Sequence, residues 1–259
     1  FTRSQLQYIK ELGTSRFGKV IVLQGEGSDI QPGKKKLKVV VMMCHDDMSL
    51  KDKFIFLHEA SAFKLLDSRN VLKLYCQCVE SSPYLTILES CSLGDLKSYM
   101  RGQKLNIEKM LDGDVILGMI CDVVAGLQAI HNINFVHRDL SMRSCLITND
   151  LTVKIGDYGL NEYNDGVGIP IRWMAPESLS FSDGLRVNDI TKKSNIWSFG
   201  VLMWELLRCG DLPYPGLSDQ HVLRLVVMEK EVKLSRPLLL NDNVPYLLVD
   251  FLLLPSITQ

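Results

Sequence analysis

A chain of 259 residues, 46% apolar and 23% charged, is long enough to bury a sizeable core as one two-lobed domain or two small ones. A net charge of −1 offers no electrostatic footprint for nucleic acid and counts against that class of partner. Seven cysteines, an odd number without metal-ligand spacing, read as reduced thiols of a cytosolic-type compartment. No apolar run reaches the roughly 18 residues of a membrane span. The longest, over 246–254, is interrupted by Asp250, and a start at Phe-Thr-Arg without Met reads as a segment of a longer protein.

Residues 8–23 alternate apolar and polar side chains around a turn, the pattern of a β-hairpin. Its tip holds Gly13, Ser15, Gly18 and Val20. Glycines at such a tip let backbone N–H groups approach a phosphate closely, and Ser15 crowds the middle of it. Residues 25–36, rich in Gly, Pro and Lys, read as a loop with Lys34-Lys35-Lys36 as a solvated hairpin tip. Residues 37–44 follow as a buried strand containing Val39-Val40-Val41-Met42.

Asp46, Asp47 and Ser49 are N-cap candidates for a helix over 50–66, in which Phe54, Leu57, Ala60, Phe63 and Leu66 form the apolar stripe and Glu59 is the carboxylate of interest. Residues 71–79 and 84–89 read as two strands, with Cys76 and Cys78 as core thiols on one face. Leu88, Glu89, Ser90 and Cys91 lead into Leu93-Gly94-Asp95-Leu96, which opens the next helix. Over 109–131 the spacing predicts one long amphipathic helix, its stripe formed by Met110, Leu111, Val115, Met119, Val123, Leu127 and Ile130.

Residues 136–147 place His137-Arg138-Asp139 between two short apolar runs, with Arg143, Ser144 and Leu146 close behind. A short strand over 152–155 leads to Gly156-Asp157-Tyr158-Gly159. Pro170 to Glu177 reads Pro-Ile-Arg-Trp-Met-Ala-Pro-Glu, and the segment before it is short, with Tyr163 its only tyrosine. A helix over 191–208 carries Asn195-Ile196-Trp197-Ser198-Phe199-Gly200, and the chain ends in Leu-Leu-Leu-Pro-Ser-Ile-Thr-Gln.

In this order the motifs resemble those of the protein kinase superfamily over nearly the whole chain. The resemblance implies an α+β fold of two lobes, a β-rich N-lobe (1–89) with its αC helix and a mainly helical C-lobe (90–259) whose last helices are incomplete. It implies ATP and Mg2+ as cofactors, with Asp139 as catalytic base beside Arg143, and Asp157 and Ser144 at the metal. Nucleotide contacts fall to Gly13, Ser15, Gly18, Val20, Val40, Met42, Glu59, Leu88, Glu89, Cys91 and Leu146. Phe63, Leu74, His137 and Tyr158 would stack as a column linking the lobes. The opening Phe-Thr-Arg-Ser-Gln-Leu-Gln-Tyr-Ile-Lys-Glu, residues 150–159 and Ser194-Asn195-Ile196-Trp197-Ser198 look like the lemur tyrosine kinases. In that family Tyr158 and Asn195 are usual, and the parent protein is anchored in an intracellular membrane with this domain facing the cytoplasm.

Six positions depart from the superfamily pattern: Ser15 for the middle Gly, Val40 for the strand Ala, Met42 for the strand Lys, Ser144 for the metal-binding Asn, Tyr158 for the Phe after the metal-binding Asp, and Asn195 for the helix Asp. Lys38 shares strand parity with Met42 but sits ~13 Å along the strand, and Lys19 is the other substitute considered. Arg partners for Glu177 are missing from the tail. The expectation is a pseudokinase-like module that binds protein partners, with ATP binding weak or lost. The alternative is a weakly active protein kinase, Tyr or Ser/Thr specific. Membrane contact would come only through other parts of the parent.

Overall fold

A computed structural model describes residues 2–15, 19–112, 114–160, 169–181 and 184–235. Gly18, Tyr163, the 246–254 run and the rest of the tail from 236 lie outside the described residues.

The N-terminal lobe is a five-stranded antiparallel sheet in the order β1-β2-β3-β5-β4. Its strands are β1 (Leu6–Thr14), β2 (Val20–Gln31), β3 (Lys34–Cys44), β4 (Leu74–Cys78) and β5 (Leu85–Glu89), with helix α1 (Leu50–Ser61) between β3 and β4. β3 occupies the middle because both of its faces are apolar. Val39 and Val41 pack with Leu85, Ile87 and Cys78 on one side, while Val40 and Met42 join Val22, Leu74 and Leu88 on the other. Cys76 packs with the first of these groups, as expected of a core thiol. Register fixes this division: Met42 lies opposite Val22 and Thr86, and Val40 opposite Leu88. A one-residue slip would exchange the two faces.

The loop expected over 25–36 is instead strand almost throughout. β2 runs to Gln31, which pairs with Lys34 across Pro32-Gly33. Proline followed by glycine at φ 82° suits a type II turn, so two residues suffice to reverse the chain. Gly25 stays in the strand because β1 approaches it closely: a Cβ there would sit 3.0 Å from the Gln7 carbonyl oxygen. Lys36, exposed as expected, pairs with Glu26.

Ser49 is the cap of α1, its hydroxyl accepting the Asp52 N–H at 3.1 Å. The helix stops at Ser61 and tightens into a 3-10 turn over Ala62–Leu65, short of the expected 66. Phe54 is 68% exposed, so the stripe drawn through it does not face the core.

The larger lobe is mainly helical: α2 (Leu96–Gly102), α3 (Ile107–Asp112), α4 (Val115–Asn132), α5 (Lys192–Leu207) and α6 (Asp219–Val222), the last running on into a π-helical turn, Leu223–Met228. Two small hairpins complete it, β6 (Cys145–Ile147) with β7 (Val153–Ile155), and β8 (Leu179–Ser180) with β9 (Arg186–Val187). The single helix expected over 109–131 is two, because Asp114 adopts a left-handed φ of 56°, which ends a right-handed run. From α4, Ile116, Met119, Ile120, Val123, Leu127 and Ile130 enter the lobe's core with Leu202, Met203 and Leu206 of α5. Each such side chain is worth about 1.5–3 kcal/mol of burial.

By length and composition α4 would suffice to cross a membrane, which the search for uninterrupted apolar runs overlooked. Here it is a core helix. Gly126 lets it close on the other lobe's connection, since a side chain there would collide with the Asn70 carbonyl. α5 is capped by Thr191, which accepts the Ser194 N–H, and is buried on nearly every face. That burial makes it the fixed reference for the loop beside it.

Candidate nucleotide and catalytic site

From Val136 to Ser144 the chain crosses between α4 and β6 with no regular structure except a 3-10 turn, Met142–Ser144. It is nevertheless held firmly. Asn195, 1% exposed on α5, accepts the His137 N–H at 2.9 Å and donates its amide to the His137 carbonyl at 2.6 Å. Its oxygen also lies 3.1 Å from His131 Nε2. A carboxylate could serve only the N–H groups; the amide serves both sides of one peptide residue. Asn195, in place of the superfamily's Asp, therefore holds this loop from both sides.

A second anchor is Glu205, fully buried on α5. One carboxylate oxygen accepts the Met142 N–H at 3.1 Å and the Trp173 indole N–H at 2.7 Å, and the other lies 3.4 Å from Lys97 Nζ. Burial pushes its carboxyl up from the ordinary value of 4.5, opposed by Lys97 and by these hydrogen bonds. Arg143 stacks its guanidinium 4.4 Å from the centre of the Trp173 ring and donates to Asp139 Oδ1 at 2.7 Å. Asp139 thus stands at the edge of a cleft of about 980 Å3 lined by Arg138, Pro170, Met174, Glu177 and Asp189. Glu177 is exposed.

Ser144 is less available than expected. Its hydroxyl accepts the Ser141 N–H and donates to the Ser141 carbonyl, both at 2.9 Å, so one lone pair is left over. Asp157 Oδ1 accepts the Gly159 N–H at 2.6 Å. Among the described residues no group of three or more His, Cys, Asp or Glu could hold a metal ion. Magnesium is commonly held by one or two carboxylates together with substrate phosphates, so Asp157 fits as a single protein ligand and Ser144 adds little.

Across the lobes, the structure brings Val40, Leu88, Cys91 and Leu146 together in one apolar group, joined by Val22, which sequence reasoning missed. Val20 is not among them: two residues further along β2, it packs with Cys44 and Met48, and Met42 borders both groups. Met42 has apolar neighbours on both sides. Neither substitute lysine replaces the missing cation, since Lys19 pairs with Asp52 at 3.0 Å and Lys38 is exposed. Glu59 falls on α1. Gly13, at φ 145°, and Ser15 form the near side of the hairpin tip; the Ser15 hydroxyl is buried with no hydrogen-bond partner among the described residues.

Tyr158 shares one apolar group with Leu74 and Phe63, two of the three residues expected to stack with it in a column linking the lobes. Its phenol donates to the Glu89 carbonyl at 2.6 Å and accepts the Cys91 N–H at 2.9 Å, and the ring is 7% exposed among Val22, Val40, Leu88, Cys91 and Leu146. Burial holds its hydroxyl well above the ordinary tyrosine value and pushes the Cys91 thiol up to about 11. Phe63, packed on the same group, also meets Phe135 edge-on at 5.0 Å. The Glu89 side chain faces away, 3.2 Å from Lys154 Nζ.

Residues 6–251 match the family model described as protein tyrosine and serine/threonine kinase. The chain is 40% identical over 245 residues to serine/threonine-protein kinase LMTK1 of Mus musculus, covering 91% of this chain and 18% of that protein. It is 40% identical over 261 residues to LMTK3 of Mus musculus, covering 95% and 18%. Identity to the insulin receptor of Xenopus laevis is 35% over 240 residues, covering 87% and 17%. The chain therefore spans less than a fifth of the length of these relatives.

Proposed function

We propose, starting from a chain that belongs to the protein tyrosine and serine/threonine kinase family, that this domain has become a pseudokinase-like signalling module that binds protein partners. The observation that carries the reading is Met42. It occupies the strand position where the family supplies a phosphate-binding lysine, it has apolar neighbours, and Lys19 and Lys38 are directed elsewhere. Loss of one preorganised donor costs typically 10²–10³ in rate. With Ser144 turned onto Ser141, the combined loss is on the order of 10⁴-fold, although such effects are not additive.

A second reading, a weakly active protein kinase, is favoured by one specific feature. Asp139 is oriented by Arg143 beside a cleft of about 980 Å3, and Asp157 supplies a carboxylate for magnesium. In either reading the nucleotide is ATP, its purine edge meeting the Glu89 carbonyl and Cys91 N–H, with Leu88 behind it. We place the boundary between lobes after Glu89 and assign the whole of 1–259 to one kinase-like domain. By the same family reading the domain faces the cytoplasm, and any membrane contact belongs to the parent protein.

Incorporation of labelled γ-phosphate into the chain or a generic protein substrate, with magnesium or manganese, separates the two readings. The pseudokinase reading expects the same background with wild type and Asp139→Asn. Label that vanishes with Asp139→Asn would overturn it in favour of the weak kinase.

A further inference from the structure

We propose that Tyr158 is a built-in occupant of the purine subsite, so that a nucleotide enters only when residues 158–160 leave. The inference rests on the reading that the Glu89–Cys91 backbone takes a purine, and deepens it.

The Glu89 carbonyl and the Cys91 N–H form an acceptor and a donor side by side on the strand that leaves β5. Adenine presents the complementary pair along one edge, an amino N–H donor beside a ring-nitrogen acceptor. A phenol offers the same two functions from one atom, and Tyr158 uses both, at 2.6 Å and 2.9 Å. Phenylalanine in this place would fill space but leave the buried Cys91 N–H and the part-buried Glu89 carbonyl without this partner. The hydroxyl therefore gives the tyrosine a ligand's role, one that needs a ring with a polar tip.

The rest of the turn follows the ring into the cleft. Leu160 packs with the same apolar group, and its Cδ2 lies 3.2 Å from where a Cβ on Gly13 would stand. A Cβ on Gly159 would lie 3.5 Å from that of Ser15. Residues 158–160 thus run from the Glu89 and Cys91 backbone contacts to Gly13 and Ser15. Asp157 travels with them, tied to the Gly159 N–H. One displacement would open the purine subsite and free the carboxylate's surroundings together.

The test uses the full 259-residue chain and adenosine, which lacks phosphates and so reads the purine subsite independently of Met42 and magnesium. Tyr158→Phe keeps the ring and removes both hydrogen bonds. It is expected to bind adenosine roughly tenfold more tightly than wild type, because the resident competitor is weakened by two neutral hydrogen bonds. Amide exchange supplies the second readout. The Cys91 N–H should exchange faster in free Tyr158→Phe than in free wild type, and adenosine should raise exchange over 157–160 in wild type. Equal adenosine affinity, with Cys91 exchange unchanged, would overturn the proposal and leave the nucleotide reading standing. Absence of adenosine binding to both proteins would overturn the nucleotide reading; Cys91 exchange then decides alone, faster in the variant supporting the resident tyrosine and unchanged refuting it.

Discussion

Replacing Asn195 by Asp installs the residue that the family pattern favours, and the structure predicts that it weakens this protein. The wild-type amide donates to the His137 carbonyl at 2.6 Å from a position 1% exposed. Aspartate would turn that donor into an oxygen facing an oxygen, leaving a buried carbonyl unpaired at a cost of about 1–3 kcal/mol. Its charge near the N-terminus of α5 returns about 0.3–1 kcal/mol, and the bond from the His137 N–H would strengthen. A net loss of about 1 kcal/mol lowers Tm by about 2–4 °C for a domain of this size. The measurement is a thermal melt of the variant beside wild type in the same buffer. An unchanged or higher Tm would refute the reasoning that the amide's donor is what holds the loop.

Met42→Lys should tighten ATP binding, in a salt-dependent way, with little loss of stability because the position is half-buried. Combined with Tyr158→Phe, the two gains in ATP affinity should multiply, since one acts on the phosphates and the other on the resident competitor; a departure of more than about threefold from the product would show that they are coupled. Glu205→Gln should gain stability relative to wild type as pH rises above 4.5. Burial raises the folded carboxyl's pKa, so the folded wild type holds its proton longer and loses stability as it ionises; denaturant melts at stepped pH check this, and a difference that shrinks on raising the pH would refute it.

The fold was legible wherever a local pattern and the tertiary environment ask for the same thing. Three consecutive valines in β3 state that both faces are buried, and Ser49 and Thr191 mark their helix starts by the side-chain oxygen they offer. The break before α4 was hidden because apolar spacing carries on across it; only the Gly113-Asp114 pair hinted at a stop. Phe54 fits a helical stripe by number, but the sequence does not say which stripe meets the sheet. Tyr158 shows a further limit at the site. Its packing with Leu74 and Phe63 was legible, but its hydrogen bonds run to backbone groups nearly seventy residues away. The available clue was the hydroxyl itself, which needs a partner once buried.

The surviving motif residues have structural employment, which weakens them as signs of chemistry. Asp139 is tied to Arg143, Arg143 to Trp173, and Trp173 to Glu205, which also holds the Met142 N–H. Asn195 fixes the residue two before Asp139. Removing any of these would loosen the junction between the 136–147 stretch, the segment ending at Glu177, and α5, whatever reaction the domain performs. Met42 and Ser144 stand where the family's nucleotide-directed side chains belong, and there the sequence has changed. A chain selected for phosphoryl transfer would be expected to hold both sets, and one selected for a shaped, rigid surface needs only the first. The resident tyrosine fits the second case. It satisfies the purine contacts from within, so the lobes keep their packing when no nucleotide is bound.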